Sequence, residues 1–291
     1  GIEAIVDAMH AHVEEKGVHL YGCWALARLT QDATNRSAIR DADGIIKSII
    51  LSMKLHEEDD GVQHYACWAL SNLSLDASGR SAIIKAGGIE KILDSMQMHK
   101  AKVVVQHYGC LALSKLGPGQ CDASGRSEFR DIKIIVSVMH MHLEDVMVQR
   151  HGCKVLWNFA VDTASMRGMS EGGIDALVAA MRKHKTEVEV QRNACGALAS
   201  LADDAGNKSA MSEAGCIKAV VESMQMHLED VSVQSNGCRT LWKLASDPRN
   251  MPLIRQAGGV KAIVDAVQRH MAVDSVQTNG SAAIETLGGG N

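Results

Sequence analysis

The nine residues "YACWALSNL" at positions 65–73 have two near-copies elsewhere in the chain. "YGCWALARL" occupies 21–29, and "YGCLALSKL" occupies 108–116. The cysteine of this stretch returns at 153, 195 and 238, so that successive copies lie 42 to 44 residues apart. A histidine and a Val-Gln pair recur with the same step. Three separate markers therefore indicate an array of about seven repeats.

A single repeat can be traced over residues 45–88. "IIKSIILSMKLH" (45–56) places Ile46, Ile49, Ile50 and Met53 on one face, which predicts a helix. "EEDDG" (57–61) interrupts it, and "VQHYACWALSNLSLD" (62–76) predicts a second, longer helix. "ASGRSAIIKAGG" (77–88) predicts a short helix that the glycine pair ends. Because no segment alternates with a period of two, we expect an all-α fold with three helices per repeat.

The composition excludes several classes of function. The net charge of −4 argues against general nucleic-acid or membrane-surface binding, and 3% aromatic residues argue against base stacking. No apolar run is long enough to predict a membrane span. With only three prolines and no low-complexity linker, we expect one domain over 1–291. Its repeats would start near 1, 45, 88, 131, 173, 216 and 259, with the first and last incomplete.

The repeated letters predict the packing of one unit on the next. A glycine or alanine precedes each periodic cysteine, and a small residue at that place lets helices approach closely. We interpret the periodic cysteines and methionines as core, one of each per repeat and too far apart for disulfides. Apolar residues begin and end the chain, which favours either a segment of a longer protein or end-to-end self-association.

At "VQHYACWALSNL" (62–73) followed by "AIIKAGGIEKIL" (82–93), the chain resembles the armadillo repeat family, over essentially its whole length. The resemblance implies a right-handed superhelical solenoid whose third helices line a concave groove that holds a partner protein segment. In peptide-binding members of the family, a Trp and an Asn four residues later recur along that groove. The full pair is found here only at Trp68 and Asn72, and Trp24 is followed by Arg28. A nuclear-import type of recognition is therefore not expected.

We name as the variable face the family's Trp and Asn positions and the residue one turn earlier, in all seven repeats. Of these 21 positions, seven carry Lys or Arg and none carries Asp or Glu, against about two of each from the overall composition. This predicts a basic groove for an acidic or phosphorylated segment, since Arg binds carboxylate and phosphate with paired hydrogen bonds. The alternative, that these residues only line a solvated face, stays open. The candidate partner-binding residues are Trp24, Arg28, His64, Trp68, Asn72, His107, Lys115, Arg150, Lys154, Asn158, Arg192, Arg239 and Lys243.

Other motifs do not support catalysis or metal binding. The periodic histidines end a helix in each repeat, where a structural cap is the simpler interpretation than a metal ligand. Cys121 and Cys216 depart from the period, which leaves a reactive thiol open for them. The acidic loops at 57–60, 143–145 and 228–230 are interpreted as solvated turns. We find no catalytic set within one repeat, and we expect a non-enzyme without cofactors or metals.

The sequence thus favours a protein–protein interaction scaffold in a reducing compartment, the cytoplasm or the nucleus. The alternative is a regulatory or structural arm of a larger signalling enzyme, or a self-assembling structural protein.

Overall fold

The computed structural model describes residues 1–41, 44–117, 126–160, 169 and 172–288. The chain divides into two compact units, Gly1–His142 and Leu143–Asn291. The helices of the first unit are α1 Ile2–Ala11, α2 Lys16–Leu29, α3 Ala33–Asp41, α4 Ile45–Leu55, α5 Asp60–Leu73, α6 Ala77–Lys85, α7 Gly88–Met98, α8 Val103–Leu116 and α9 Arg126–Met141. Those of the second are α10 Val146–Phe159, α11 Gly173–Lys183, α12 Val188–Leu201, α13 Ala205–Glu213, α14 Cys216–Met226, α15 Val231–Ala245, α16 Asn250–Gln256, α17 Gly259–Arg269 and α18 Asp274–Gly288.

Each unit is a stack of helical repeats. Helices are numbered from here on as in the armadillo family, with the short helix first, the helix after the glycine pair second and the long helix third. In the first unit the third helices α2, α5 and α8 pack side by side, and the second helices α1, α4, α7 and α9 form a neighbouring layer. In the second unit α10, α12, α15 and α18 form the third-helix layer, with α11, α14 and α17 beside it. No strand occurs among the described residues. The predicted all-α solenoid fold is confirmed, while the number of repeats and the single-domain organisation stay predictions.

The repeat over 45–88 folds as its pattern predicts. The four apolar residues that define α4, from Ile46 to Met53, are all buried. The acidic stretch after α4 forms the turn into α5, and α6 follows as a short helix. Gly87 then takes a left-handed conformation at φ 76°, which only glycine adopts without strain, and the next helix begins at Gly88.

A glutamine fastens five of the described third helices to the end of the second helix before them. In the first unit, Gln106 Nε2 donates to the carbonyl oxygens of Met96 at 2.9 Å and His99 at 2.8 Å. The Met96 carbonyl belongs to the last turn of α7 and has no partner within its own helix. The carbonyl of His99, the residue that ends the helix, also accepts from the Lys102 N–H at 2.9 Å. The same pair of bonds is made by Gln63, Gln191, Gln234 and Gln277. This glutamine belongs to the Val-Gln marker, to which the sequence assigned no role.

The periodic histidines are structural caps that act across repeats. Each ends its second helix, as the backbone of His99 ends α7. In five of them, however, the ring bonds the preceding repeat, as His99 Nε2 donates to the Glu57 carbonyl oxygen at 2.7 Å. The carbonyls of its own helix are already occupied by glutamine, so the ring is free to reach the neighbouring repeat. The equivalent bonds are made by His142, His184, His227 and His270.

The small residue beside each cysteine brings helices into close contact, as predicted. A Cβ built on Gly109 would lie 2.6 Å from Met96 Sδ, and one built on Gly237 would lie 2.6 Å from Met224 Sδ. The periodic methionine of the second helix therefore packs against bare backbone of the third helix. The six periodic cysteines are fully buried in the same layer: Cys23, Cys67, Cys110, Cys153, Cys195 and Cys238.

The acidic turns are more than solvated loops, because an aspartate in each of them caps the helix that follows. Asp59 Oδ1 accepts from the backbone N–H of Val62 at 2.9 Å, and Asp145 and Asp230 cap α10 and α15 in the same way. A carboxylate at this place satisfies an orphan donor and meets the positive end of the helix dipole. Partial burial opposes the shift, but the Val62 N–H and Lys16 lower the pKa of Asp59 overall.

The repeat near 131 departs from the others. There α9 runs without a break from Arg126 to Met141. The second helices α4, α7, α11, α14 and α17 each follow a glycine in the left-handed conformation, whereas the chain has Arg130 at the equivalent place. Without that glycine the backbone stays helical, so the first and second helices of this repeat are fused.

The glutamine bonds generate a stability prediction. Replacing Gln106 with Ala leaves the buried Met96 carbonyl without its donor, while the His99 carbonyl keeps the Lys102 N–H. We expect the free energy of unfolding to fall by about 2 kcal/mol. Chemical denaturation followed by circular dichroism measures this change. Gln97→Ala is the matched control, because Gln97 is exposed on α7. Equal stability of the two variants would contradict the assigned role.

Candidate functional site

The variable face of the first unit is rich in aromatic rings. Trp24 and Arg28 lie exposed on α2, with 45% of Trp24 accessible. Trp68 of α5 stacks on Tyr108 of α8, with ring centroids 5.3 Å apart and planes 24° apart. Because such stacks join consecutive third helices, this part of the face is a pre-ordered aromatic surface.

Two candidate histidines flank that stack. His64 lies on Tyr65 with ring centroids 3.8 Å apart, and His107 lies on Tyr108 at 4.6 Å. Burial lowers the pKa of His64, although the neighbouring Asp60 carbonyl opposes it. Both rings are therefore part of the aromatic surface, and their contact with a partner stays a prediction. The tyrosines were missed by sequence reasoning, although Tyr21, Tyr65 and Tyr108 recur with the repeat step.

In the first unit, the side chains at the family's asparagine position form hydrogen bonds within the protein. Asn72 is 9% exposed, and its Nδ2 donates to the Ala27 carbonyl oxygen and to Thr30 Oγ1, both at 3.1 Å. Lys115, at the equivalent place on α8, donates to the Ser71 carbonyl oxygen at 3.1 Å. These side chains cap the end of the preceding third helix. Burial and then the charge of Arg36 lower the pKa of Lys115.

In the second unit, α10 presents Arg150, Lys154 and Asn158, each partly buried. Lys154 Nζ lies 3.9 Å from the centre of the Trp157 ring, a cation–π contact. Trp157 in turn covers Gly196 of α12, where a Cβ would come within 2.5 Å of the ring. The glycine at the family's tryptophan position thus makes room for a tryptophan from the neighbouring helix. In the sequence, Trp157 lies three residues beyond the family's tryptophan position, which Lys154 occupies.

The other basic residues of the second unit are held by carboxylates. Arg192 on α12 pairs with Glu189 at 2.5 Å and with Asp230 at 2.6 Å. On α15, Arg239 and Lys243 both pair with Asp203, at 2.5 and 3.0 Å. Partial burial opposes the shift, but these two cations lower the pKa of Asp203 overall. Counting basic residues along the variable face therefore overstates its positive charge, because the pairing acids lie outside the counted positions.

The structure also decides the thiol and metal interpretations for the residues it describes. No group of three or more His, Cys, Asp or Glu side chains is placed to hold a metal ion within the described ranges. Cys216 is buried and free, and its burial raises the pKa of the thiol, which makes it unreactive. Cys121 lies outside the described residues. Among the described helices, none has the length and apolar character needed to span a bilayer.

Stacked helical repeats with a variable third-helix surface define an α-solenoid. A family model described as the LRRK2 ARM repeat matches residues 90–288, which is more than half of the chain. The chain therefore belongs to this armadillo repeat family. No curated protein matches it. The armadillo fold commonly mediates protein–protein interaction and is typically non-catalytic.

Two solved structures confirm the fold. An engineered protein from the Northeast Structural Genomics Consortium shares 21% identity over 98% of this chain and 78% of its own, with a TM-score of 0.60. A second structure comes from a study of the phosphorylation switch that controls the interaction between cadherin and β-catenin. Its TM-score is 0.65 and its sequence identity to this chain is 18%. The match covers 98% of this chain and 60% of that one.

Burial of the periodic thiols gives a direct prediction. Burial raises the pKa of Cys67, Cys110 and Cys195 to about 12 each, so only about one in ten thousand is thiolate near pH 8. We expect them to resist alkylation by iodoacetamide in the folded protein and to react fully in guanidinium chloride. Peptide mass spectrometry reports each site. Rapid labelling of Cys67 in the native protein would contradict the packing described above.

Proposed function

We propose that this protein is a non-enzymatic scaffold whose variable face holds an acidic or phosphorylated segment of a partner protein. The single observation that carries the proposal is Lys154. Its ammonium group lies over Trp157 on α10 and forms no ion pair with another described residue. Burial lowers the pKa of Lys154. A cation that has lost part of its hydration and has no acidic partner gains a large free energy of interaction from an anionic ligand.

Arg150 strengthens the site, since it lies one turn before Lys154 on the same helix. An extended segment could place one carboxylate or phosphate at this pair. Arg150 is further fixed through its backbone, whose carbonyl oxygen accepts from Asn193 Nδ2 of α12 at 3.1 Å.

Three other basic residues could also bind a partner anion, but only by exchanging their present carboxylate partners for it. They are Arg192, Arg239 and Lys243. Their carboxylate partners already occupy them, so a partner anion would compete with Asp230 or Asp203. Such competition favours phosphate over carboxylate, because phosphate carries more charge and more acceptor oxygens. The interaction named for the structural neighbour, between cadherin and β-catenin, is controlled by phosphorylation, which supports a phosphorylated partner here.

The proposal extends to the setting of the protein. Free buried cysteines suit a reducing compartment, so we place it in the cytoplasm or nucleus. End-to-end self-association and a role as an arm of a larger signalling enzyme remain predictions. Sedimentation velocity over a concentration series would test the first of them.

Reversing the charge at the centre of the site tests the proposal. The probes are a fluorescent polyglutamate peptide and a phosphoserine peptide, with Kd measured by anisotropy at several salt concentrations. We expect Lys154→Glu to weaken binding by about tenfold, or about 1.4 kcal/mol, and to reduce the salt dependence. The triple variant Lys154→Glu, Arg239→Glu, Lys243→Glu should weaken it further.

Lys261→Glu is the matched control, because Lys261 is exposed on α17 and lies outside the variable face. It changes the net charge by the same amount. If it weakens binding as much as Lys154→Glu does, the attraction comes from overall charge and the groove is not the site. Unchanged binding in the triple variant would exclude the basic face altogether.

Removing a competing acid should act in the opposite direction. Asp203→Asn releases Arg239 and Lys243 from their shared carboxylate, so we expect the Kd of the phosphoserine peptide to fall by about threefold. The same anisotropy assay measures it. Asp265→Asn, on α17 and away from the variable face, serves as the control. Weaker binding in Asp203→Asn would show that the ion pairs position these cations for the ligand.

A further inference from the structure

The first repeat contains a histidine where other repeats use the glutamine that joins the third helix to the second. His19 of α2 takes the place of Gln63, Gln106, Gln191, Gln234 and Gln277, and it is 1% exposed. A glutamine amide stays neutral at every physiological pH, whereas an imidazole titrates within that range. This substitution therefore places an ionisable group at a position that fastens helices together.

The hydrogen bonds of His19 define which nitrogen carries the hydrogen in the neutral ring. Its Nδ1 lies 2.8 Å from Ser52 Oγ, and the hydroxyl of Ser52 itself donates to the Ser48 carbonyl oxygen at 2.9 Å. Because that hydroxyl hydrogen is already committed, Nδ1–H is the donor and Ser52 Oγ the acceptor. Nε2 is then the nitrogen that takes up a proton. It is buried and has no hydrogen-bond partner among the described residues.

A second histidine faces this ring. His56, which follows α4, lies with its ring centroid 4.6 Å from that of His19 at an angle of 51°. The later periodic histidines donate a hydrogen bond from Nε2 to a carbonyl oxygen of the preceding repeat. The Nε2 atom of His56 is buried and has no hydrogen-bond partner among the described residues. Two imidazolium ions at this separation would repel each other strongly in a site with little water.

The remaining elements around His19 give little to stabilise a charge. From α1 the ring meets His10, whose own Nε2 bonds Ser48 Oγ at 2.8 Å, and the backbone carbonyls of His12 and Val13. The ion pair between Lys16 and the α5 cap Asp59, at 3.1 Å, also lies in this joint. The charges that most affect the pKa of His19 are those of His56 and then His10, and both lower it.

We propose that the contact of α1 and α2 with α4 and α5 is a pH-sensitive joint, which acidification opens by protonating His19, the buried ring that faces His56. The inference is independent of the proposed function, but it bears on it. Trp24 and Arg28 lie on α2, so opening this joint would withdraw them from the variable face.

The sign of the effect follows from the environment of the ring. Burial and then the charge of His56 lower the pKa of His19, and the carbonyls of His12 and Val13 only partly oppose this. The opened state binds the proton more tightly than the packed state. The contribution of His19 to packing is therefore complete above about pH 6.5, the ordinary histidine value, and is lost as pH falls below it.

Hydrogen exchange with mass spectrometry tests the proposal on the whole chain without any partner. Between about pH 7.5 and about pH 5.5, after correction for intrinsic exchange, we expect the opening equilibrium of α1 and α2 to rise by up to about tenfold in the wild type. In His19→Gln, which restores the residue of the other repeats, the rise should largely disappear. Helices α14 and α15 should show no comparable change in either protein.

Two further variants separate this joint from histidine titration in general. His56→Gln removes the other member of the pair and should also flatten the pH dependence. His227→Gln alters a periodic histidine that bonds the Lys185 carbonyl, and it should leave the response of α1 and α2 unchanged. A wild-type response that survives in both His19→Gln and His56→Gln would overturn the proposal. So would a pH response spread evenly over all helices.

Discussion

The glutamine amide that joins five of the third helices to the end of the preceding second helix is the bond on which the packing of these repeats depends. A helix end leaves carbonyl groups without partners, and in a solenoid those ends are covered by the next element and cannot reach water. Gln106 of α8 supplies the donor for the Met96 carbonyl and a second donor for that of His99, and the His99 ring bonds the previous repeat. One polar pair thereby fixes the angle within a repeat and the distance between repeats, and the apolar contacts of methionine, glycine and cysteine fill the remaining space.

This division of labour explains why the variable face can vary. The residues that fasten the stack lie at the two ends of the helices or on their inner faces. The positions occupied by Trp24, Trp68, Lys154 and Arg239 contribute less to that packing, so their chemistry can change from repeat to repeat. The separation is incomplete, since Asn72 caps α2 from a position that the family uses for its ligand. A change there would affect stability and binding together.

The sequence predicts the fold because periodic contacts leave periodic letters. The helices of 45–88, the buried cysteines and the close approach at Gly109 all follow from spacing alone. The fused helix α9 could have been anticipated from the missing glycine at 130. The charge of the site could not, because Asp203 and Asp230 lie on other elements, and only the folded chain brings them to Arg239 and Arg192. The packing of Trp157 over Gly196 is likewise a contact between helices that no single-helix pattern encodes.

Exceptions to a repeat are informative for the same reason. Each repeat contacts its neighbours along the chain, so a change at one joint alters the stability of that joint and has little effect on distant ones. Replacing glutamine by histidine at position 19 makes a single joint titratable while the joints held by Gln191 and Gln234 keep a neutral amide. A globular core would distribute the same buried charge over the whole unfolding equilibrium. In a stack it acts locally, and this is why acid can open α1 and α2 while the remaining helices stay packed.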